Sequence, residues 1–281
     1  LELCILYNEI NIKYLFYFMF KVSCIQICAG KDIRKNLNIS KKLILKAIKQ
    51  KSDFIITPES SSVFGLNKKQ LLKTCTSMDK DVYLKTIREI AKKYKKWILT
   101  CTHTKEKNKI KNRSVLICPK GLIKTYYDKM HMFDVALNKK EKYFESKTFT
   151  AGKSLKTFNL PWGKLGMSIC YDLRFPNMFR KLAQKGSIFI SVPSAFTETT
   201  GRKHWHSLLK ARAIENFSYI FAPAQHGLHW NKRKTYGHSL IVSPDGKILK
   251  ELKKGTGIIT TKIDPKISID LRKQIPSLKK G

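Results

Sequence analysis

Apolar positions along this chain alternate between two periods. Residues 21–28, KVSCIQIC, follow the two-residue spacing of a half-buried strand. Residues 33–50 then take the helical period, with Ile33, Leu37, Ile44, Ala47 and Ile48 on one stripe and lysines opposite. The short apolar run at 53–57 stops at Pro58, as a buried strand does. Residues 81–96 predict a second amphipathic helix through Val82, Leu84, Ile87, Ile90, Ala91 and Tyr94, and 97–103 a third strand. Two hairpins are expected next: 113–118 with 122–127 around Pro119-Lys120-Gly121, and 155–160 with 164–171 around Pro161-Trp162-Gly163. Helices at 175–184 and 203–215, strands at 187–192, 218–224, 238–243, 247–252 and 257–263, and a short helix after Asp264-Pro265 complete the series. Helices alternate with strands early, while hairpins interrupt later. That predicts a layered α/β architecture on mixed sheets rather than one parallel sheet. No linker, repeat or low-complexity block divides residues 20–281, so one domain is expected there.

Residues 1–19 read differently. They are apolar but broken by Glu2, Glu9 and Lys13, without the basic start and small-residue cleavage site of a signal peptide. The apolar stretch at 14–20 is too short to cross a bilayer, and no other segment reads as a membrane span. This segment is expected to be an extension upstream of the true start, with Met19 as that start.

Charge adds one alternative. Lys and Arg number 56 against 20 Asp and Glu, a net +36, which would suit a polyanion-binding protein. The lysines are scattered, however, as in Lys41-Lys42, Lys92-Lys93, Lys139-Lys140 and Lys253-Lys254, with no basic tail and no zinc-finger or RNP-type spacing. A lysine-biased surface is the simpler reading, with no specific nucleic-acid partner. A non-catalytic polyanion binder stays as the competing class, and a steep salt dependence of binding would mark it. The seven cysteines are odd in number and include no C-x-x-C pair. Cys24, Cys101 and Cys118 lie in apolar runs, where a thiol packs as a small hydrophobe; a reducing, cytoplasmic setting is expected.

Three polar residues stand where strands run out. Glu59 follows the run 54–56, Lys129 the strand 122–127, and Cys170 the run 165–169. Sites in α/β sheets form beyond strand ends. A thiol with a reference pKa near 8.5 needs a base or a nearby cation to attack an amide. A buried carboxylate can take its proton, and an ammonium can stabilise the thiolate and then the oxyanion. The backbone N–H of Tyr171, next to Cys170, would be a second oxyanion donor. Taken singly, Glu59 reads as a solvated turn residue, Lys129 as one lysine among many, and Cys170 as a packing thiol.

The words around them decide. Thr57-Pro58-Glu59, Tyr127-Asp128-Lys129-Met130-His131-Met132-Phe133-Asp134 and Gly166-Met167-Ser168-Ile169-Cys170-Tyr171-Asp172-Leu173-Arg174-Phe175-Pro176 resemble the glutamate, lysine and cysteine segments of the nitrilase superfamily, the carbon–nitrogen hydrolases. The resemblance continues through Val192-Pro193-Ser194-Ala195-Phe196, Ala211-Arg212-Ala213-Ile214-Glu215-Asn216 and Tyr236-Gly237-His238-Ser239, from about Phe20 to Pro276. It implies a four-layer αββα sandwich, usually dimerising, with neither metal nor organic cofactor. It also implies a second glutamate in the loop after the lysine. Glu145, in an Glu-Ser stretch followed by Ala151-Gly152, is preferred; Glu141 is a rival. Asp172 and Arg174 would either bind substrate or form a buried ion pair under the cysteine turn. His131 suits packing or loop hydrogen bonding. The close pairs His204/His206 and His226/His229 lack an accompanying carboxylate or Cys at a familiar metal-ligand spacing. Ala224-Gln225-His226-Gly227 and the stretch at 233–239 resemble the Nit branch known for deaminated glutathione amidase. The implied substrate is a small anionic amide, deaminated glutathione, cleaved to 2-oxoglutarate and cysteinylglycine. An ω-amidase or another small-amide or N-carbamoyl hydrolase is the alternative.

Overall fold

The computed structural model describes residues 18–139 and 141–279. The expected N-terminal extension, residues 18 and 19 apart, lies outside the described residues. Two six-stranded mixed sheets organise the chain. The first runs in the order β16-β1-β2-β3-β4-β5: β1 (Phe20–Gln26), β2 (Phe54–Ile56), β3 (Trp97–Glu106), β4 (Lys109–Ile117), β5 (Ile123–Asp128) and β16 (Gly257–Ile263). The second runs β15-β14-β11-β10-β9-β8: β8 (Lys156–Leu160), β9 (Gly163–Met167), β10 (Phe189–Ser191), β11 (Tyr219–Ala222), β14 (Ser239–Val242) and β15 (Ile248–Leu252). In each sheet three central strands are parallel, β1-β2-β3 and β9-β10-β11, and antiparallel neighbours flank them. Two short ribbons, β6 (Asp134–Ala136) with β7 (Lys142–Phe144) and β12 (His226–Leu228) with β13 (Lys234–Tyr236), carry loops over the strand ends.

Alternation sorts the first sheet's side chains between two cores. Phe20, Val22, Cys24, Phe54, Ile56, Leu99 and Leu116 join the cluster shared with the second sheet. Ile25, Ile55, Ile98, Val115 and Ile117 face α1 (Ile33–Lys49) and α3 (Val82–Tyr94) instead. Phe20 and Phe54 meet Phe189 and Phe221 edge-on across the gap, ring centroids 5.3 and 6.3 Å apart. Each such side chain contributes about 1.5–3 kcal/mol on full burial. Helices α4 (Pro176–Gln184) and α5 (Glu198–Asn216) cover the second sheet's outer face, giving helix, sheet, sheet, helix. The remaining helices are α2 (Lys68–Thr74) and α6 (Pro265–Gln274).

Helix starts follow their caps. Asp32 accepts from the N–H groups of Arg34 and Lys35, and Asp81 from those of Tyr83 and Leu84. α5 begins five residues before the expected 203, because Thr197 caps it by accepting from Thr200 N. Gly201 therefore lies inside a helix, where glycine is unfavourable. The ring of Tyr236 fills the space its side chain would take, so close contact with β13 requires the glycine. β9 stops at Met167 rather than running to 171, and residues Cys170–Arg174 form a 3-10 turn. α2 and both ribbons carry too few residues to show a period, and the sequence reading does not contain them.

Candidate active site

The C-terminal ends of the parallel strands from both sheets point the same way and converge. Glu59 lies three residues past β2, Lys129 directly past β5, and Cys170 three past β9. Isolated bridges Ile27–Gln225 and Ser194–Ala224 tie the strand ends together. Lys129 is the hub. Its Nζ donates to Glu59 Oε1 at 3.0 Å and to Glu145 Oε1 and Oε2 at 2.9 and 2.8 Å. Asn112, on β4, donates through Nδ2 to Glu59 at 2.8 Å and to Glu145 at 3.3 Å. Gln225 Nε2 donates to the Glu59 carbonyl at 2.9 Å, and Phe133 N to Glu145 Oε2 at 2.6 Å. Glu145 reaches the lysine because the 145–152 loop lies flat along it, with Gly152 N donating to Lys129 O at 2.8 Å. A Cβ at residue 152 would strike the Asp128 carbonyl, so this close approach needs glycine. Glu141 lies apart, accepting from Tyr143 and Thr199.

Cys170 opens the 3-10 turn in the left-handed region, φ 52°, where a non-glycine residue is strained. Its N–H donates to Pro193 O at 3.0 Å, and the Tyr171 N–H has no acceptor among the described residues. Burial pushes the Cys170 thiol up; the charge of Glu59 and a hydrogen bond to it push the same way, while Lys129 and the Ala195 N–H pull down. The thiol is therefore protonated at rest. For Lys129, burial acts downward, yet Glu145, Glu59 and Cys170 outweigh it and hold the ammonium well above its ordinary range. A neutral thiol thus faces a carboxylate acceptor and a fixed cation, the set required for acyl transfer through sulfur. The cavity above them has a volume of about 190 Å³.

The comparisons with known proteins agree with this chemistry. Residues 21–273 match the carbon-nitrogen hydrolase family. The chain belongs to that family. This carbon–nitrogen hydrolase is 37% identical over 263 residues to "Probable hydrolase nit2" of Schizosaccharomyces pombe, covering 91% of this chain and 95% of that one. It is 35% identical over 262 residues to "Deaminated glutathione amidase" of Synechocystis, covering 91% and 96%. Among solved structures it is similar to the NitFhit protein of Caenorhabditis elegans, TM-score 0.87 at 33% identity, spanning 93% of this chain and 64% of that fusion protein. Saccharomyces cerevisiae Nit3 gives TM-score 0.83 at 26% identity, with coverage of 95% and 97%. The nitrilase-type fold of two mixed sheets between helices is the one expected.

Beneath the cysteine turn the hydrolase differs from expectation. Asp172 does not pair with Arg174. Fully buried, it accepts from Tyr127 Oη at 2.7 Å, Ile169 N at 2.8 Å and His131 N at 3.1 Å, and contacts His131 Nδ1 at 2.7 Å. His131 also stacks on Phe175, centroids 3.6 Å apart. Arg174 leaves the turn on its outer side, 3.3 Å from His204 Nδ1 and over the rings of Tyr171 and Phe196. Asn112, His103 and Arg233 all line the cavity, and none of them is among the residues expected in the site: the sequence reads His103 as the end of a strand and Arg233 as part of the stretch at 233–239. The hairpin register pairs His103 with Asn112, so two polar residues facing each other inside buried strands were the available signal. The histidines also regroup: His206 and His238 both contact Glu251 Oε1, at 3.0 and 2.5 Å, an association across three elements that no sequence spacing displays. Among the described residues no helix is long and apolar enough to cross a membrane.

Proposed function

We propose that this hydrolase cleaves a small anionic linear amide through a Cys170 thioester, with deaminated glutathione as substrate and 2-oxoglutarate and cysteinylglycine as products. The contact set around Lys129 carries the reading: one buried ammonium bonded to both Glu59 and Glu145 beside a protonated thiol. As Cys170 Sγ attacks the carbonyl carbon, its proton passes to Glu59. The oxyanion forms against Lys129 Nζ and the Tyr171 N–H. Glu59 returns the proton to the leaving nitrogen, the C–N bond breaks, and the acyl group stays on sulfur. Water then attacks the thioester, gives its proton to Glu59, and the acid departs as the thiol is restored. Glu145 positions Lys129.

Relatives named deaminated glutathione amidase at 35–36% identity support the substrate. The single-domain extent over residues 20–281, a homodimer and a cytoplasmic setting belong to the same proposal; the free thiols support the reducing compartment. Amine or ammonia release should be measured on deaminated glutathione, 2-oxoglutaramate, an N-carbamoyl amino acid and a nitrile. Deaminated glutathione is expected to turn over fastest, and mass spectrometry of the quenched reaction to show an acyl adduct on Cys170. Adduct on another cysteine, or turnover undiminished in Cys170→Ala, would reject the mechanism; preference for 2-oxoglutaramate would reject the substrate.

A further inference from the structure

Two cations line the catalytic cavity, Lys129 and Arg233. Lys129 is consumed by two carboxylates. Arg233, in the loop between β12 and β13, forms no ion pair with any Asp or Glu among the described residues, although ten such pairs or histidine contacts occur elsewhere. Its guanidinium is nonetheless held in place. Cζ lies 4.7 Å from the ring centroid of Tyr143 and 5.4 Å from that of Phe64. Nη2 donates to Ala195 O at 2.9 Å, and the buried Nε has no partner. A fixed, half-buried guanidinium with spare donors is the arrangement that reads a planar carboxylate by paired hydrogen bonds.

The charge balance points the same way. Glu59, Glu145 and Lys129 leave the reacting centre one negative charge in excess, since the Cys170 thiol is neutral. An anionic substrate meets repulsion there unless a cation in the wall compensates. The chain's scattered surface lysines are screened by salt within about 8–10 Å, whereas a cation in the wall is not.

We infer that Arg233 is the specificity-determining residue for a carboxylate carried by the amide substrate. This rests on the hydrolase reading above and names the residue that would select an anionic over a neutral amide. Arg233 also supports Ala195, whose N–H touches the Cys170 thiol, so a merely structural role has to be separated from recognition.

Glutaramic acid and its neutral diamide, glutaramide, provide the separation, because only the first carries the carboxylate. For wild type, kcat/KM should favour the acid. In Arg233→Gln the acid-to-diamide ratio should fall by about 10- to 100-fold, the range for a charged hydrogen-bond pair, chiefly through KM of the acid. Arg233→Lys should recover part of that ratio. An unchanged ratio, with both substrates losing equally, would make Arg233 structural and overturn the inference. A turnover-free arm keeps the two readings apart: calorimetric binding of glutarate to Cys170→Ala should weaken at least tenfold on adding Arg233→Gln. If wild type hydrolyses neither test amide but glutarate binding still depends on Arg233, carboxylate recognition by Arg233 stands on the binding arm, and the substrate reading is decided by turnover of deaminated glutathione itself. Glutarate binding that ignores Arg233 overturns it.

Discussion

Replacing Lys129 with methionine should destabilise the fold and abolish turnover, and the two effects should respond differently to a second substitution. The side chain of Lys129 is 2% exposed, and those of its partners Glu59 and Glu145 are 6% and 12% exposed. The three charges sum to −1. Methionine fills a similar volume but leaves −2 facing itself in a poorly solvated space. Breaking one side of a buried ion pair costs about 3–5 kcal/mol, a large share of the roughly 5–15 kcal/mol that holds a domain together. A proton shared between the facing carboxylates relieves the repulsion, so the folded variant binds a proton its unfolded chain does not hold. Its stability relative to wild type should therefore recover as pH falls from 7.5 to 5.5. Adding Glu145→Gln returns the cluster to −1 and should restore about 2 kcal/mol or more at pH 7.5. Turnover should stay at least 100-fold down in both variants, because neither supplies the cation at the oxyanion. Urea denaturation at the two pH values gives the free energies, with slopes checked for equality. A Lys129→Met protein within about 1 kcal/mol of wild type at both pH values, or a double variant no more stable than the single, would refute this account of the triad.

Asp172→Asn turns an oxygen that faces N–H and O–H donors into a donor, and should cost about 2–3 kcal/mol in urea unfolding while lowering turnover by loosening the cysteine turn. Gly152→Ala forces a methyl into the Asp128 carbonyl, so the Glu145 loop should shift and kcat fall at least tenfold; wild-type kinetics would contradict the close packing. His103 and His229 are held neutral by burial, with pKa pushed down to about 4, whereas the unfolded chain protonates near 6.5. Their contribution is full above pH 6.5 and is lost as pH falls toward 4, by on the order of 3 kcal/mol per ring; His103→Gln should flatten the decline of urea midpoint between pH 7 and 5.

The elements that the sequence discloses are those long enough to show a period against a single core. Residues 33–50 form α1 within one residue, and 81–96 form α3 within two, because each lays one stripe on the first sheet. The strand at 164–171 is overextended for a definite reason. Ser168 and Ile169 keep the alternation of β9, and only the left-handed turn at Cys170, held by Asp172 accepting from Ile169 N, ends the run. Apolar pattern does not encode that turn. Asp172 pairs with His131 rather than Arg174 because both groups hang from converging strand ends, whereas chain neighbours in a 3-10 turn diverge.

Charge was the least informative signal, and the structure explains why. In a chain with 56 Lys and Arg, any single cation is indistinguishable from the background. Lys129 became legible only through the word around it. Arg233 opens the stretch at 233–239 that resembles the Nit branch, but in the polar loop Asn231-Lys232-Arg233-Lys234 nothing sets its charge apart from that of its lysine neighbours. What separates the two from the other cations is their place in the cavity wall: one is held by carboxylates, the other by the rings of Tyr143 and Phe64 and the Ala195 carbonyl. A solvated lysine acts through a high dielectric and contributes about 1 kcal/mol at 4 Å, several-fold less than the same charge in a protein wall. Net charge therefore describes the surface of this enzyme, whereas the two cations in the cavity wall are placed by partners that lie 16 to 169 residues away along the chain.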